Sequence, residues 1–450
     1  MRFHIQESVF CLIYDFVLQC EHNRQDSYYR TTKNQRQSPK TMNGRAIRLL
    51  VSKAAMVRNG GAARDLLRNL PALSRKFEVK FCCLNILESQ RQQVESLGIE
   101  VLCPENQWEV RGGIWNEISA KQDRTSGKAW QNLEGLSELI EWADAIHLAT
   151  GAGSMDFTSM VPSSKPLHLH FHESKSGVFD SVSHLNRDGT GTWRAHVVHT
   201  LQSFYHRGRI ISSFQGFKQN EKWIISANSN YSAGRLMEEY GIKGGVLFPV
   251  VDLSEFDREN PANDDEIVDR LRESNDSEYV VSIGNISRFK GAFEAVEHLV
   301  GCSVDLVWVG GGSEPENQSL VAFGRELGVN VQILSNLDSV ELATLMKRST
   351  AVIGLANGEA FGLTPIESMA LGVPPIFVEE GGYRDTIVDG VNGRLVARGD
   401  FDGWRKAIME ARDSETRSKW AESGLSRIEE LGLTPENYAS QLDERIRSVI

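Results

Sequence analysis

NGEAFGLTPIESMALG, residues 357–372, sets Glu359 in a glycine-bearing loop and Glu367 eight positions on, inside the helix that follows. The spacing predicts that this helix opens at Thr364, with Pro365 in the first helical position, where a missing N–H costs nothing. The backbone N–H groups from Gly362 to Ile366 then point out of a helix N-terminus, an anion site with a carboxylate on either flank. Amides suit phosphates and carboxylates suit sugar hydroxyls, so the segment fits a phosphate-bearing, hydroxyl-rich ligand. Thr364 and Glu367 also have the spacing of a capping box, in which the glutamate binds only backbone. That reading leaves Glu359, Gly362 and the Gly381–Gly382 pair unexplained.

Outward from this stretch, short β-rich apolar runs alternate with helical patterns, the signature of parallel sheets covered by helices. One series comprises IRLLVS from Ile47, VKFCCL from Val79, IEVLC from Ile99, DAIHLA from Asp144, PLHLHFH from Pro166, WIISA from Trp223 and GVLFP from Gly245. A second comprises YVVSIG from Tyr279, VDLVWVGGG from Val304, NVQIL from Asn330, AVIGL from Ala351 and PPIFV from Pro374. Between them VDLSEFDRENPANDDE is polar, acidic and proline-bearing, a linker placed between Pro249 and Asp265. The 450 residues exceed what one hydrophobic core accommodates. The expectation is two doubly wound α/β domains facing across a cleft, with ligands at the carboxyl ends of the strands.

Bulk properties narrow the partners. A net charge of −11 argues against a nucleic-acid binder that works by neutralising phosphates. Six cysteines form no CxxC pair or even framework, which fits a reducing, cytoplasmic compartment. The longest apolar run near the start, VFCLIYDFVL from Val9, is too short to span a membrane and carries Asp15. Residues 1–42 read as a disordered extension ahead of the fold.

The unusual residues fall at strand ends. The first strand runs into MVRNGGAARDLL, where Gly60 and Gly61 allow close backbone approach; a simple tight turn is the competing reading. The fifth ends in LHLHFHES, with His168, His170 and His172 on one face by period two. Three histidines raise the question of a metal, but no second cluster in the sequence completes a ligand set, and His172–Glu173 is the favoured functional pair. In GNISRFKG, Gly284 precedes a loop carrying Arg288 and Lys290, two cations suited to a diphosphate, or simply a solvated basic turn. SFYHRGRIISSFQGFKQNEKW, from Ser203, mixes aromatics with Arg207, Arg209, Lys218 and Lys222; it reads as an amphipathic helix of the sheet, with a membrane-surface or glycan-contacting helix as the alternative. Asp400-Phe401-Asp402 spells DxD but reads as helix-start chemistry.

Together EAFGLTPIESMALGVPPI, GGYRDTIVDGVNGRLV, SIGNISRFKG and ISANSNYSAGRLMEEYG leading to FPVVDLSEF resemble the retaining family 4 glycosyltransferases (glycosyl transferases group 1) of the GT-B fold, most strongly over residues 223–396. The resemblance implies an acceptor-side Rossmann-like domain over 43–252, a nucleotide-sugar-binding one over 253–435, and a terminal helix over 436–450 packing back on the first. It implies that Lys290 contacts the donor diphosphate, with Arg288 able to stand in where the family's usual arginine is Asn285. It also implies Glu359 on the transferred sugar, Glu367 on the ribose, the amides of Phe361, Gly362 and Leu363 on phosphates or sugar, Gly60–Gly61 on the β-phosphate and His172 near the reacting centre. Further departures are Asp385, where glutamate is commoner, and Leu355–Ala356 in place of Pro-Ser. The implied partners are a UDP- or GDP-sugar and a sugar, glycan or lipid-linked acceptor, with peripheral contact at the inner membrane surface. No metal or other cofactor is required. A non-catalytic nucleotide-sugar-binding module and a GT-B sugar-nucleotide epimerase are the alternatives.

Overall fold

Strand β1, Arg48–Ser52, is fully parallel to its neighbours on both sides, and everything around it follows from that. The structure, a computed structural model, describes residues 45–56, 61–109, 121–173, 179, 193–251, 256, 268–269 and 277–450. The expected extension over 1–42, Gly60, most of the linker and most of the segment after Glu173 lie outside the described residues.

The first sheet is built from β1, β2 (Glu78–Cys82), β3 (Glu100–Leu102), β4 (Ala145–Ala149), β5 (Leu167–Phe171), β6 (Trp223–Ala227) and β7 (Gly245–Val246), in the order β3-β2-β1-β4-β5-β6-β7. Its helices are α1 (Gly61–Lys76), α2 (Glu88–Glu95), α3 (Lys121–Gln131), α4 (Leu136–Trp142), α5 (Trp193–Ser213), α6 (Gln215–Gln219) and α7 (Asn230–Tyr240), with a 3₁₀ turn over Met155–Met160. The second sheet takes β8 (Tyr279–Asn285), β9 (Asp305–Gly311), β10 (Val331–Leu334), β11 (Ala351–Gly354), β12 (Pro375–Val378) and β13 (Arg394–Val396), in the order β10-β9-β8-β11-β12-β13. Around it lie α8 (Ala292–Leu299), α9 (Glu314–Leu327), α10 (Ser339–Lys347), α11 (Leu363–Ala370), α12 (Tyr383–Thr386), α13 (Phe401–Arg412), α14 (Ser414–Leu431) and α15 (Pro435–Arg447).

The strands read as unbroken apolar runs because both faces of each sheet are covered. Leu49 and Val51 enter one core of the first domain while Leu50 enters the other, the alternation a strand imposes. The core that holds Leu49 is closed by α15, which returns from the second domain to pack on α1 through Tyr438, Ala439, Leu442 and Ile446. Burying each large side chain of that face contributes roughly 1.5–3 kcal/mol.

Both sheets reverse strand order once, the first between β1 and β4, the second between β8 and β11. Such switch points open a crevice at the carboxyl ends of the strands. The doubly wound α/β architecture expected from the sequence is therefore present twice. Strand β13 has no counterpart among the expected strands: three residues after an Asn-Gly turn carry little pattern.

Candidate active site

At the switch point of the second sheet the loops after β8 and β11 meet. Lys290 Nζ lies 2.8 Å from Glu359 Oε2. Gly284 makes room for this, since a Cβ there would come within 3.2 Å of the Lys290 side chain. Glu359 is held by its backbone: its carbonyl accepts from the Gly382 N–H at 2.8 Å, and a Cβ at Gly381 would sit 2.5 Å from the same oxygen. The Gly381–Gly382 pair, unexplained by a helix cap, is thus the surface on which the Glu359 loop rests.

The helix after that loop starts earlier than its spacing indicates. Gly362, in the left-handed region at φ 89°, precedes Leu363 as the first helical residue, and no side chain caps the end. Thr364 is therefore not the cap, and Pro365 stands third. A Cβ at Gly362 would lie 2.7 Å from the Tyr383 ring, so only glycine permits this tight entry. Phe361 and Glu367 are buried, and Glu367 sits in the first two turns of α11.

Arg288 takes a different direction from Lys290. Its Nη1 faces Glu294 Oε1 at 3.4 Å, and the same glutamate also pairs with Arg398, which grips Glu380 through two 2.9 Å bonds. The structure thus places Arg288 in a bracing network beneath the loop.

At the switch point of the first sheet, β1 is followed by Lys53, β4 by Thr150 and β5 by His172–Glu173. The backbone N–H of His172 donates to Thr150 Oγ1 at 2.9 Å, and the same hydroxyl lies 3.3 Å from His172 Nδ1. A hydroxyl that accepts from the backbone donates its proton to Nδ1, which puts the ring proton on Nε2. That nitrogen faces Asp65 Oδ2 at 3.4 Å. Asp65, from α1, also accepts from the Val250 N–H at 2.7 Å. Burial pushes His172 down to about 3 and raises the Asp65 carboxyl. Lys53 is buried too, with its ammonium 2.5 Å from the Thr150 carbonyl, and burial lowers it to about 8.

Behind His172 the other histidines form a buried chain. Ser226 Oγ lies 2.9 Å from His168 Nε2, His168 Nδ1 2.9 Å from His147 Nδ1, and Tyr438 Oη within 3.3 Å of His147 Nε2 and 3.0 Å of His170 Nδ1. His170 Nε2 faces the Leu247 carbonyl at 3.0 Å. Asp65, His170 and His172 are close enough to hold a metal ion, with Asp65 completing a set that the sequence left open. Both ring nitrogens of His170 already have hydrogen-bond partners, so ligation there would break its bond to Tyr438.

The two switch points face each other. Glu173, at the accessible end of β5, is raised by desolvation and by the nearby Glu359 charge, with Lys53 and Lys290 acting the other way. Gly61 stands opposite Leu363, whose Cδ1 would meet a Cβ at 3.6 Å. Ser229 donates to the Ala360 carbonyl, and Asn230 donates to both oxygens of Asp385 from backbone and side chain, each at 2.8 Å. Asp385 therefore serves the junction of the two domains. Of the candidate residues, the structure brings His172, Glu359 and Lys290 to one cleft with Gly61, Gly284, Phe361, Gly362, Leu363 and Glu367 around it, and turns Arg288 aside. Asp65, Lys53 and Tyr438 were missed. A charged residue inside the apolar face of a helix, or at the end of an apolar strand, was the available signal for the first two.

Two facing Rossmann-like domains with a cleft between strand ends define a GT-B protein. Residues 263–427 match the family model "Glycosyl transferases group 1". Curated relatives include D-inositol 3-phosphate glycosyltransferase 1 of Catenulispora acidiphila, 27% identical over 210 residues, or 43% of this chain and 50% of the relative. The D-inositol 3-phosphate glycosyltransferase of Mycolicibacterium smegmatis is 26% identical over 267 residues, 55% of this chain and 60% of the relative. The alignments thus span only half to three-fifths of these relatives. Among solved structures, a glycosyltransferase from Rickettsia africae superposes with a TM-score of 0.64 at 15% identity, covering 90% of this chain and 98% of that one. HepE of Anabaena in complex with UDP-glucose gives 0.62 at 17% identity, covering 89% and 100%.

Proposed function

We propose that this chain is a retaining glycosyltransferase that moves a sugar from a nucleotide diphosphate, UDP or GDP, to a glycan, glycolipid or glycoprotein-glycan acceptor. The observation that carries the reading is the convergence of Lys290 and Glu359 with His172 and Glu173 across the cleft. Lys290 and the amides at the start of α11 would stabilise the departing diphosphate, the helix end contributing its positive pole. Glu359 and His172 would hold the transferred sugar, and Glu367 the ribose. The bond to the anomeric carbon ionises, and an oxygen of the leaving phosphate takes the proton of the attacking hydroxyl on the same face. No enzymic nucleophile and no metal enter this scheme. Closure of the two domains keeps water from the donor.

The relatives' names point to a phosphorylated polyol as one acceptor to try, and the UDP-glucose complex of HepE to UDP-glucose as a first donor. Among the described residues no helix is long and apolar enough to cross a membrane, so contact with a lipid-linked acceptor would be peripheral. Thermal-shift screening of UDP- and GDP-sugars, followed by a transfer assay that reads the product's anomeric configuration, tests the proposal; an inverted product rules out the mechanism. The engagement of Arg288 by Glu294 favours one second reading, a module that binds a nucleotide sugar without turnover. Tight donor binding with neither hydrolysis nor transfer would establish it.

A further inference from the structure

Cys83 and Cys103 stand side by side just past the carboxyl ends of neighbouring strands. Cys82 and Leu102 are partners in the parallel β2–β3 register, and the Cys83 N–H carries the ladder one step further by donating to the Leu102 carbonyl at 3.0 Å. Cys103 is therefore the next cross-strand neighbour of Cys83, at a spacing of about 4.8 Å, inside the roughly 4.4–6.8 Å between α-carbons that a disulfide bridges. The two side chains share a face: Cys83 is buried in the core with Leu49 and Val51, and Cys103 packs half-buried against that core. Cys82 points the other way, into the core of Leu50.

The two sulfurs are chemically unequal. The hydrogen bond from the Cys83 thiol, and then the charge of Arg91 on α2, hold the Cys103 thiol below its usual value, whereas that bond and burial push Cys83 well up. One thiol is thus reachable from solvent and inclined to ionise, and the other is a buried partner in contact with it, the arrangement of a reactive cysteine beside a resolving one. The proposed glycosyl transfer uses neither.

We propose that Cys103 and Cys83 are an oxidative modification site that cycles between dithiol and disulfide in response to hydrogen peroxide. The Cys103 sulfur attacks the peroxide and breaks its O–O bond; sulfur is oxidised to a sulfenic acid and one water leaves. The Cys83 sulfur then attacks that sulfur, its proton departs with the hydroxyl as a second water, and the S–S bond closes. Two glutathione thiols return both cysteines and leave as glutathione disulfide. Directly after Cys83, the N–H groups of Leu84 and Asn85 both donate to the Ala54 carbonyl, at 2.8 and 3.0 Å, so the bond forms beside the backbone that carries the loop after β1.

The test treats the full chain with hydrogen peroxide, blocks the remaining thiols and maps tryptic peptides by mass spectrometry without reductant. Peptide 81–91 joined to peptide 92–111, lighter by two hydrogens and separated again by glutathione, is the expected product. Because peptide 81–91 holds both Cys82 and Cys83, Cys82→Ser should keep the cross-link, and Cys83→Ser should lose it while a dimedone-trapped sulfenic acid accumulates on Cys103. Cys103→Ser, made at the half-buried position where folding is least at risk, should lose the cross-link and leave Cys83 a thiol. Absence of the cross-link in the parent, a cross-link that survives Cys83→Ser, or Cys103 passing straight to sulfinic acid overturns the proposal. So does a cross-link found only between two copies of the chain on a non-reducing gel.

Discussion

Lys290 and Glu359, contributed by the loops after β8 and β11, form a 2.8 Å ion pair at the point where the second sheet reverses strand order. The pair is partly exposed, at 32% and 25%, so its worth to stability is about 1 kcal/mol or less. Its worth to catalysis is expected to be far larger. Lys290→Ala and Glu359→Gln should each lower transfer about 100- to 1,000-fold, the cost of losing a group aimed at developing charge. Their melting temperatures should stay close to that of the parent. A variant that melts early and loses activity in proportion would assign the pair to structure.

Asp65 fixes the ring of His172 and simultaneously receives the Val250 N–H. Asp65→Asn retains the shape but offers an N–H toward one of two donors. We expect a loss of about 1–3 kcal/mol in stability and a fall in kcat with little change in KM for the donor. Denaturant titration and steady-state kinetics check this; a change confined to KM would place Asp65 in donor binding.

The buried histidines make stability depend on pH. His170 and His172 sit near 3 in the fold, and His147 and His168 are also held well below their usual value, all chiefly by burial. An unfolded imidazole titrates near 6.5, so below that pH the unfolded chain takes up protons that the fold refuses. Stability is therefore full above about pH 6.5 and declines toward pH 3, by roughly 1.4 kcal/mol per pH unit for each such histidine. Asp65, whose carboxyl is raised, opposes part of this by binding its proton more readily in the fold. The melting temperature should drop steeply from pH 7 to 5, and His168→Gln should flatten the slope. A profile flat to pH 5 would contradict the burial of these rings.

The Asn230–Asp385 clasp joins the domains with two hydrogen bonds from one residue. Asp385→Ala should raise KM for the donor several-fold and separate one calorimetric transition into two. Asp385→Glu should recover the charge but not the 2.8 Å geometry, giving partial rescue.

The fold was legible because parallel strands buried on both faces write long apolar runs, and because glycine-rich loops mark where they end. Lys290 and Glu359 were visible for the same reason. Other features depend on partners distant in sequence. Nothing beside Arg288 indicated that Glu294 and Arg398 would claim that network, and the start of α11 was misplaced because a left-handed glycine, not Thr364, ends the loop. Tyr438 reaches the histidines only through the return of α15.

That return has a consequence for assembly. The first domain's core needs Tyr438, Leu442 and Ile446, which are encoded after the whole second domain. During synthesis its histidine cluster remains uncapped until residues 435–447 have left the ribosome, so the domain made first is completed last. Maturation of the first domain is thereby contingent on translation of the second, and a prematurely terminated chain would lack the helix that seals its first core.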